Sequence, residues 1–181
     1  MSDPGDLLAQ AWQHLARGVA DRRAPARHPV LATVSPDGLP EARMVVLRAA
    51  SESAGTLEIH SDSETPKVAA LRARPVAALH VWVPKARLQI RMSAEVEILT
   101  GAQVMAQWEK VPCAARVSYG TEPAPGKPIA QAHDYEQPGD PARFAVLHCI
   151  LSRMDLLQLD TPHRRAVYCR QDLWQGIWVA P

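Results

Sequence analysis

Two arginines, Arg43 and Arg48, bracket the apolar run Met44-Val45-Val46-Leu47. The run reads as a buried strand, and a guanidinium is costly there unless an anion or carboxylate meets it. Other groups suited to an anion follow. His60-Ser61 closes the next apolar stretch, and Lys67 falls in the first turn of a helix opening Thr65-Pro66-Lys67. Free N–H groups and the helix dipole favour negative charge at that end, so a lysine there hints at a bound anion. Gln89 stands on the polar side of the most regular strand. These are phosphate-grade donors, although each taken singly has an ordinary surface or salt-bridged reading.

Other chemistries lack their signatures. There is no GxxxxGK[ST] loop and no GxGxxG after a strand. GxSxG and HExxH are missing too. The seven histidines share no ligand-like spacing, so no metal site is expected. Glu95 and Glu97 read as solvated, or paired with Arg87 and Arg91, rather than as an acid/base pair. Lysine plus arginine number 20 against 19 for aspartate plus glutamate. That near-neutrality argues against nucleic acid or an anionic membrane as the main partner. No apolar run approaches the ~18 residues of a membrane span, and residues 1–21 lack the apolar stretch of a signal peptide. Cys113, Cys149 and Cys169 form no CxxC, which suits reduced cytoplasmic thiols better than disulfides or zinc.

The elements that must position the donors follow from periodicity. Residues 6–21 carry Leu7, Leu8, Ala11, Trp12, Leu15 and Val19 at helical spacing, with Asp6 as a cap. Residues 28–50 predict strand, turn and strand about Pro36-Asp37-Gly38. Residues 56–61 predict a third strand, 63–74 a helix capped by Thr65, and 76–83 a strand buried on both faces. In residues 87–99 Leu88, Ile90, Met92, Ala94, Val96 and Ile98 alternate with polar residues, which means one face on a core. Residues 101–111 look helical, and the Pro- and Gly-rich 120–141 is a loop. Residues 143–160 predict one long strand or two, and 164–181 a hairpin turning near Gln171-Asp172. The fold class is α+β: one domain over 1–181, a predominantly antiparallel barrel with peripheral helices, since closure removes sheet edges.

The order of "RMVVLR", "LEIHSDSETPKVAALRARP" and "LQIRMSAEVEIL" resembles the FMN-binding split-barrel family typified by pyridoxamine 5'-phosphate oxidase. The C-terminal "PHRRAVYCRQDLWQGIWVAP" resembles that family's closing strands. The likeness covers 28–99, the barrel core and main flavin motifs, and 143–181, the strands completing the barrel. It implies FMN contacts from Arg43, Val45, Val46 and Arg48, with His60 and Ser61 at an aromatic-Thr pair. It also implies Lys67 at the phosphate, Gln89 beside the flavin ring, and Arg165 from the C-terminal strand. A homodimer with FMN between subunits is implied as well. That would relieve a conflict, because positions 43 and 48 point to opposite faces of an ideal strand unless a bulge intervenes. Three positions depart from the pattern: Pro66 for an arginine, Ala94 for a glycine, and Thr161 for a substrate-binding arginine. The segment 108–127 also departs from the substrate-phosphate loop, leaving Arg116 and Lys127 as its cations. The sequence thus reads as an FMN-dependent oxidoreductase acting on an unidentified small molecule. The alternatives are a flavin-binding module without turnover, or a haem- or deazaflavin-binding relative.

Overall fold

The computed structural model describes residues 3–181. Helix α1 (Pro4–Ala20) begins ahead of Asp6, and its N-cap is Asp3. The Asp3 carboxylate accepts from the Gly5 N–H at 2.8 Å. Pro4 fills a first-turn position where its missing N–H costs nothing, so Pro4-Gly5 starts the helix rather than blocking it. Leu7, Ala11, Trp12 and Leu15 form its buried face.

The strands are β1 (Val30–Val34), β2 (Pro40–Met44), β3 (Leu47–Ser51), β4 (Thr56–Asp62), β5 (Val76–Val83), β6 (Leu88–Thr100), β7 (Phe144–Gln158), β8 (Arg164–Cys169) and β9 (Gly176–Val179). Helix α2 (Pro66–Ala73) follows β4, and the short α3 (Met105–Glu109) and α4 (Cys113–Arg116) follow β6. One antiparallel sheet runs in the order β2-β1-β5-β6-β7-β4-β3, with β8 on β7 and β9 on β8. Its ends, β2 and β3, are consecutive in sequence and joined only by Val45-Val46. The sheet therefore curls until its ends meet at a covalent joint with no ladder across it. This is the antiparallel split barrel that the sequence led us to expect.

Two irregularities shape it. Between β6 and β7, Ser93 faces Arg153 but Ala94 faces Leu151, which leaves Ser152 as the extra residue of a bulge. Before the bulge β7 pairs with β4, and after it with β8. Between β3 and β4, Leu47 faces Ile59 and Ala49 faces Glu58, so Arg48 is the extra residue.

The alternation of β6 holds, with Leu88, Ile90, Met92, Ala94 and Val96 in the core. The reading of β5 as buried on both faces does not: Val76 is 54% and Trp82 41% exposed. An antiparallel sheet can leave one face uncovered, and none of the described residues covers Val76 and Trp82 there. A second small core of Val104, Trp108, Val111, Tyr119, Phe144 and Val146 ties the segment after β6 to the start of β7. All three cysteines are free thiols. No helix among the described residues is long and apolar enough to cross a membrane.

Helix α1 ends against the turn at residues 25–27 that feeds β1. A Cβ on Gly18 would lie 2.6 Å from the Ala26 carbonyl carbon and 2.7 Å from its oxygen, both backbone atoms that cannot swing aside. Gly18→Ala gains about 1 kcal/mol of helix propensity but suffers overpacking of about 1–3 kcal/mol. The expected result is a net loss of stability in urea unfolding. A more stable variant would show that this contact yields easily.

Candidate functional site

The joint between β2 and β3 opens a cleft. Beside Val45 and Val46 the chain leaves one ladder and enters another, and the bulge turns Arg48 toward the same hollow. A cleft of about 380 Å³ is lined there by Val45, Val46, Arg48, His60, Ser61 and Lys67, with Met44, Asp62, Thr65, Ser118, Tyr119 and Pro125 completing the wall. Six of the nine residues singled out in the sequence thus meet at one place.

The cleft is electropositive and incompletely satisfied. Burial, then the nearby charge of Arg43, lowers the Lys67 ammonium below its ordinary value, and Asp62 opposes this. Arg27 is likewise lowered, first by burial and then by the charges of Arg48 and Arg22. An anion in the cleft would relieve the shift of Lys67. The Nε of Arg48 and the Nδ1 of His60 are buried without a hydrogen-bond partner among the described residues. Such groups are costly unless a ligand or water meets them. Burial, then the Arg48 charge, pushes His60 down to about 4, so its ring is neutral near pH 7. It stands edge-on to Phe144 at 4.9 Å. Ser61 bonds Thr65 at 3.1 Å and the Asp62 carbonyl at 3.1 Å. Thr65 does not cap α2 through its side chain; its hydroxyl donates to the Asp62 carbonyl at 2.9 Å.

The far wall comes from the segment between β6 and β7. Tyr119 is 4% exposed and packs edge-on to Phe144 at 4.9 Å. Burial raises its phenol, while the charge and hydrogen bond of Arg48 counter this. A Cβ on Gly126 would come 3.1 Å from Pro66, so the loop leans on the proline that starts α2. A neighbouring chamber of about 290 Å³ shares Arg48 and His60 and adds Ala49, Glu58, Gln107, Lys110, Val111 and Pro112. Arg116 is engaged elsewhere, donating to the Val111 carbonyl at 3.1 Å and lying 4.9 Å over the Trp108 ring.

Three expected residues lie outside the cleft. Arg43 is bound to Glu41 at 2.7 Å and Thr33 at 2.7 Å on β2 and β1, and reaches Lys67 only through its field. Gln89 and Arg165 lie on the outer face of the sheet, both opposite Leu157. Arg165 grips Asp155 through Nε at 3.0 Å and Nη2 at 2.9 Å. Residues 42–48 are not one strand, because the chain must break at Val45-Val46 to change ladders. Tyr119 and Asp62 belong to the site and were missed. Nothing in "PCAARVSYG" marks a tyrosine as cleft-facing, and Asp62 reads as an ordinary turn residue.

Residues 9–100 match the family described as pyridoxamine 5'-phosphate oxidase, FMN-binding domain. A pyridoxine/pyridoxamine 5'-phosphate oxidase of Azorhizobium caulinodans is 38% identical over 82 residues, 45% of this chain and 38% of that protein. One from Pseudomonas putida is 28% identical over 122 residues, 66% of this chain and 56% of its own length. The chain thus spans about half the length of the curated relatives it matches, or less. Among solved structures, a pyridoxamine 5'-phosphate oxidase-related, FMN-binding protein of Nostoc punctiforme is 27% identical. It superposes with a TM-score of 0.77 over 96% of both chains. PhzG of Burkholderia lata, in complex with tetrahydrophenazine-1-carboxylic acid, has 18% identity and a TM-score of 0.74 over 100% of this chain and 94% of its own. It shares the fold.

The lowered His60 has a measurable consequence. Its folded value, about 4, lies below the ordinary 6.5, so the unfolded chain takes up the proton first as pH falls. Its contribution to stability is therefore complete above pH 6.5 and is lost as pH drops toward 4. For a half-buried ring the loss is about 1–2 kcal/mol after solvent screening. His60→Gln should flatten the stability profile over that range in urea unfolding. Equal slopes for the two proteins would show that the ring is not held neutral.

Proposed function

The chain belongs to the pyridoxamine 5'-phosphate oxidase FMN-binding family, and from that premise we propose that the cleft holds FMN in a cytoplasmic homodimeric oxidoreductase. The observation that carries this reading is the pair of buried, unpartnered atoms, Arg48 Nε and His60 Nδ1, in a cleft with an under-compensated Lys67. That donor set fits a phosphate-bearing, planar heteroaromatic group. Lys67 and the start of α2 hold the phosphate, and the field of Arg43 assists from behind Glu41. Val45 and Val46 offer apolar contact to the ring system, and Arg48 and His60 meet its polar edge. FMN, when bound, supplies hydride transfer at its N5. The chain's own residues bind it, orient it and exclude water. The neighbouring chamber sharing Arg48 and His60 is where a small substrate would lie.

Gln89 and Arg165 enter this reading through a second copy of the chain. Trp82, Gln89, Leu157, Arg165 and Val179 form one row across the outer face. A parallel row runs from Met44 at the lip of the cleft through Val30, His80 and Arg91 to Asp155. Met44 is 70% exposed and Trp82 41%. A two-fold interface on this face would cover them and set each chain's Gln89 and Arg165 near its partner's cleft.

Purified protein should show flavin absorption near ~450 nm and light scattering at about twice the chain mass. A Soret band, or neither feature, would favour the haem reading or an empty module. A charge-assisted contact is worth about 1.5–3 kcal/mol, so Lys67→Ala should weaken FMN binding roughly ten- to a hundredfold in a fluorescence titration. An unchanged dissociation constant would remove Lys67 from the phosphate site. Bleaching of the flavin band by a substrate would separate enzyme from carrier.

Thr161 is exposed on the β7–β8 connection and carries no charge. It cannot replace a bidentate guanidinium, and Arg116 is already engaged. FMN-loaded protein is therefore expected to oxidise pyridoxine or pyridoxamine phosphate more slowly than about one turnover per second. Faster pyridoxal phosphate formation under air would restore the vitamin B6 reaction.

A further inference from the structure

The carboxylate of Asp62 is 2% exposed, yet it lies at the end of β4, where the chain leaves the barrel for α2. Its oxygens accept four hydrogen bonds. Oδ2 takes the Gly120 N–H at 2.7 Å. Oδ1 takes the Glu64 N–H at 2.8 Å and Arg143 through Nε at 3.2 Å and Nη2 at 3.0 Å. The segments it joins are far apart in sequence: the end of β4, the loop carrying Tyr119, and the residue that opens β7. A turn cap needs only the Glu64 contact. The bond to Gly120 reaches across 58 residues to the wall of the cleft.

That wall has no regular structure of its own. Tyr119 and Gly120 follow α4 and are held by few backbone contacts, among them Asp140 N–H to the Tyr119 carbonyl at 3.0 Å. Gly120 has φ +93, and a Cβ there would fall 2.8 Å from the Asp140 Cβ. The backbone is thus forced into a left-handed conformation just where Asp62 grips it. Tyr119 in turn packs edge-on to Phe144 and Trp108 and lines the cleft together with Arg48.

We infer that Asp62 is a positioning residue, a buried latch that holds the Tyr119 wall against Arg48 and so sets the shape of the cleft for its ligand. The latch lies beneath the cleft, and its negative charge also supports the ammonium of Lys67. Arg143 grips the carboxylate through two nitrogens and is anchored from outside by Glu122 at 2.6 Å. This inference rests on the FMN reading for the identity of the ligand, but not for the latch itself.

The test uses Asp62→Asn, which presents one oxygen and one NH₂ group to a site made of donors. Amide hydrogen exchange should rise at least about tenfold over residues 117–122, with β6 unchanged. The FMN dissociation constant should rise about tenfold, and about tenfold again for Tyr119→Ala alone. The double variant should be no more than about twofold weaker than either single one, because both act through the same wall. Glu122→Gln, which removes only the outer anchor, should leave FMN affinity unchanged. Unaltered exchange at Gly120 would overturn the latch, and additive losses would overturn its action through Tyr119. If wild-type protein binds no FMN, the functional proposal fails and the exchange experiment still decides the latch. Should D62N not fold, Arg143→Lys carries the same exchange and affinity expectations, since it keeps the charge but loses the two-nitrogen grip.

Discussion

The closure of the sheet at Val45-Val46 governs most of what this molecule can do. Seven strands curl until β2 and β3 meet, yet they meet as consecutive pieces of one chain and not as hydrogen-bonded neighbours. A closed barrel would leave no opening here. The split one leaves a gap walled by two valines and bordered by a bulge, and the bulge aims a guanidinium inward. Shape and charge at the cleft therefore share one cause. The residues needed to end one ladder and begin another are the residues a ligand would touch.

That arrangement carries an electrostatic cost. Burial first, and then a neighbouring cation, lowers both Lys67, beside Arg43, and Arg27, beside Arg48 and Arg22. Among the described residues only Arg43 of these cations forms an ion pair, with Glu41. Asp62 is committed to Arg143 and so offsets Lys67 without neutralising the group of cations. Like charges held together without counterions destabilise a fold, and here the structure tolerates them beside two unsatisfied polar atoms. A dianion with a flat polar edge answers both problems at once, which is why the donor set is more informative than the size of the cleft.

How much of this was legible in the sequence depended on the range of the interactions. The β6 alternation, the Pro36-Asp37-Gly38 turn and the Pro66 helix start are local, and each was visible in residue order. So was the ordered set Arg48, His60-Ser61 and Lys67, because successive antiparallel elements bring it to one end of the barrel. The exposure of Trp82 on β5 was not visible, since an apolar run looks the same whether its outer face is covered by its own chain or by another. Nor was the break in the run from Arg43 to Arg48, which only the circular strand order requires. Asp62 and Tyr119 were hidden for the same reason: their partners, Gly120, Arg143, Trp108 and Phe144, lie a loop or half a chain away.

The fold also explains why the residues singled out in the sequence fall in two places. Residues near the joint, from Val45 to Lys67, are fixed by β3, β4 and α2 at one end of the barrel. Gln89 and Arg165 are fixed by β6 and β8 on the outer face, in register through Leu157. Arg165 is held there by Asp155, whose carboxylate is itself lowered, first by its hydrogen bond to Arg165 and then through Arg91. A guanidinium clamped to an ionised carboxylate does not swing to a distant cleft within its own chain. If it takes part in ligand binding, it does so where it stands, and the ligand must come to it on another copy of the molecule. Exposed Met44 and Trp82, on two neighbouring rows of that face, supply apolar surface such an approach would cover.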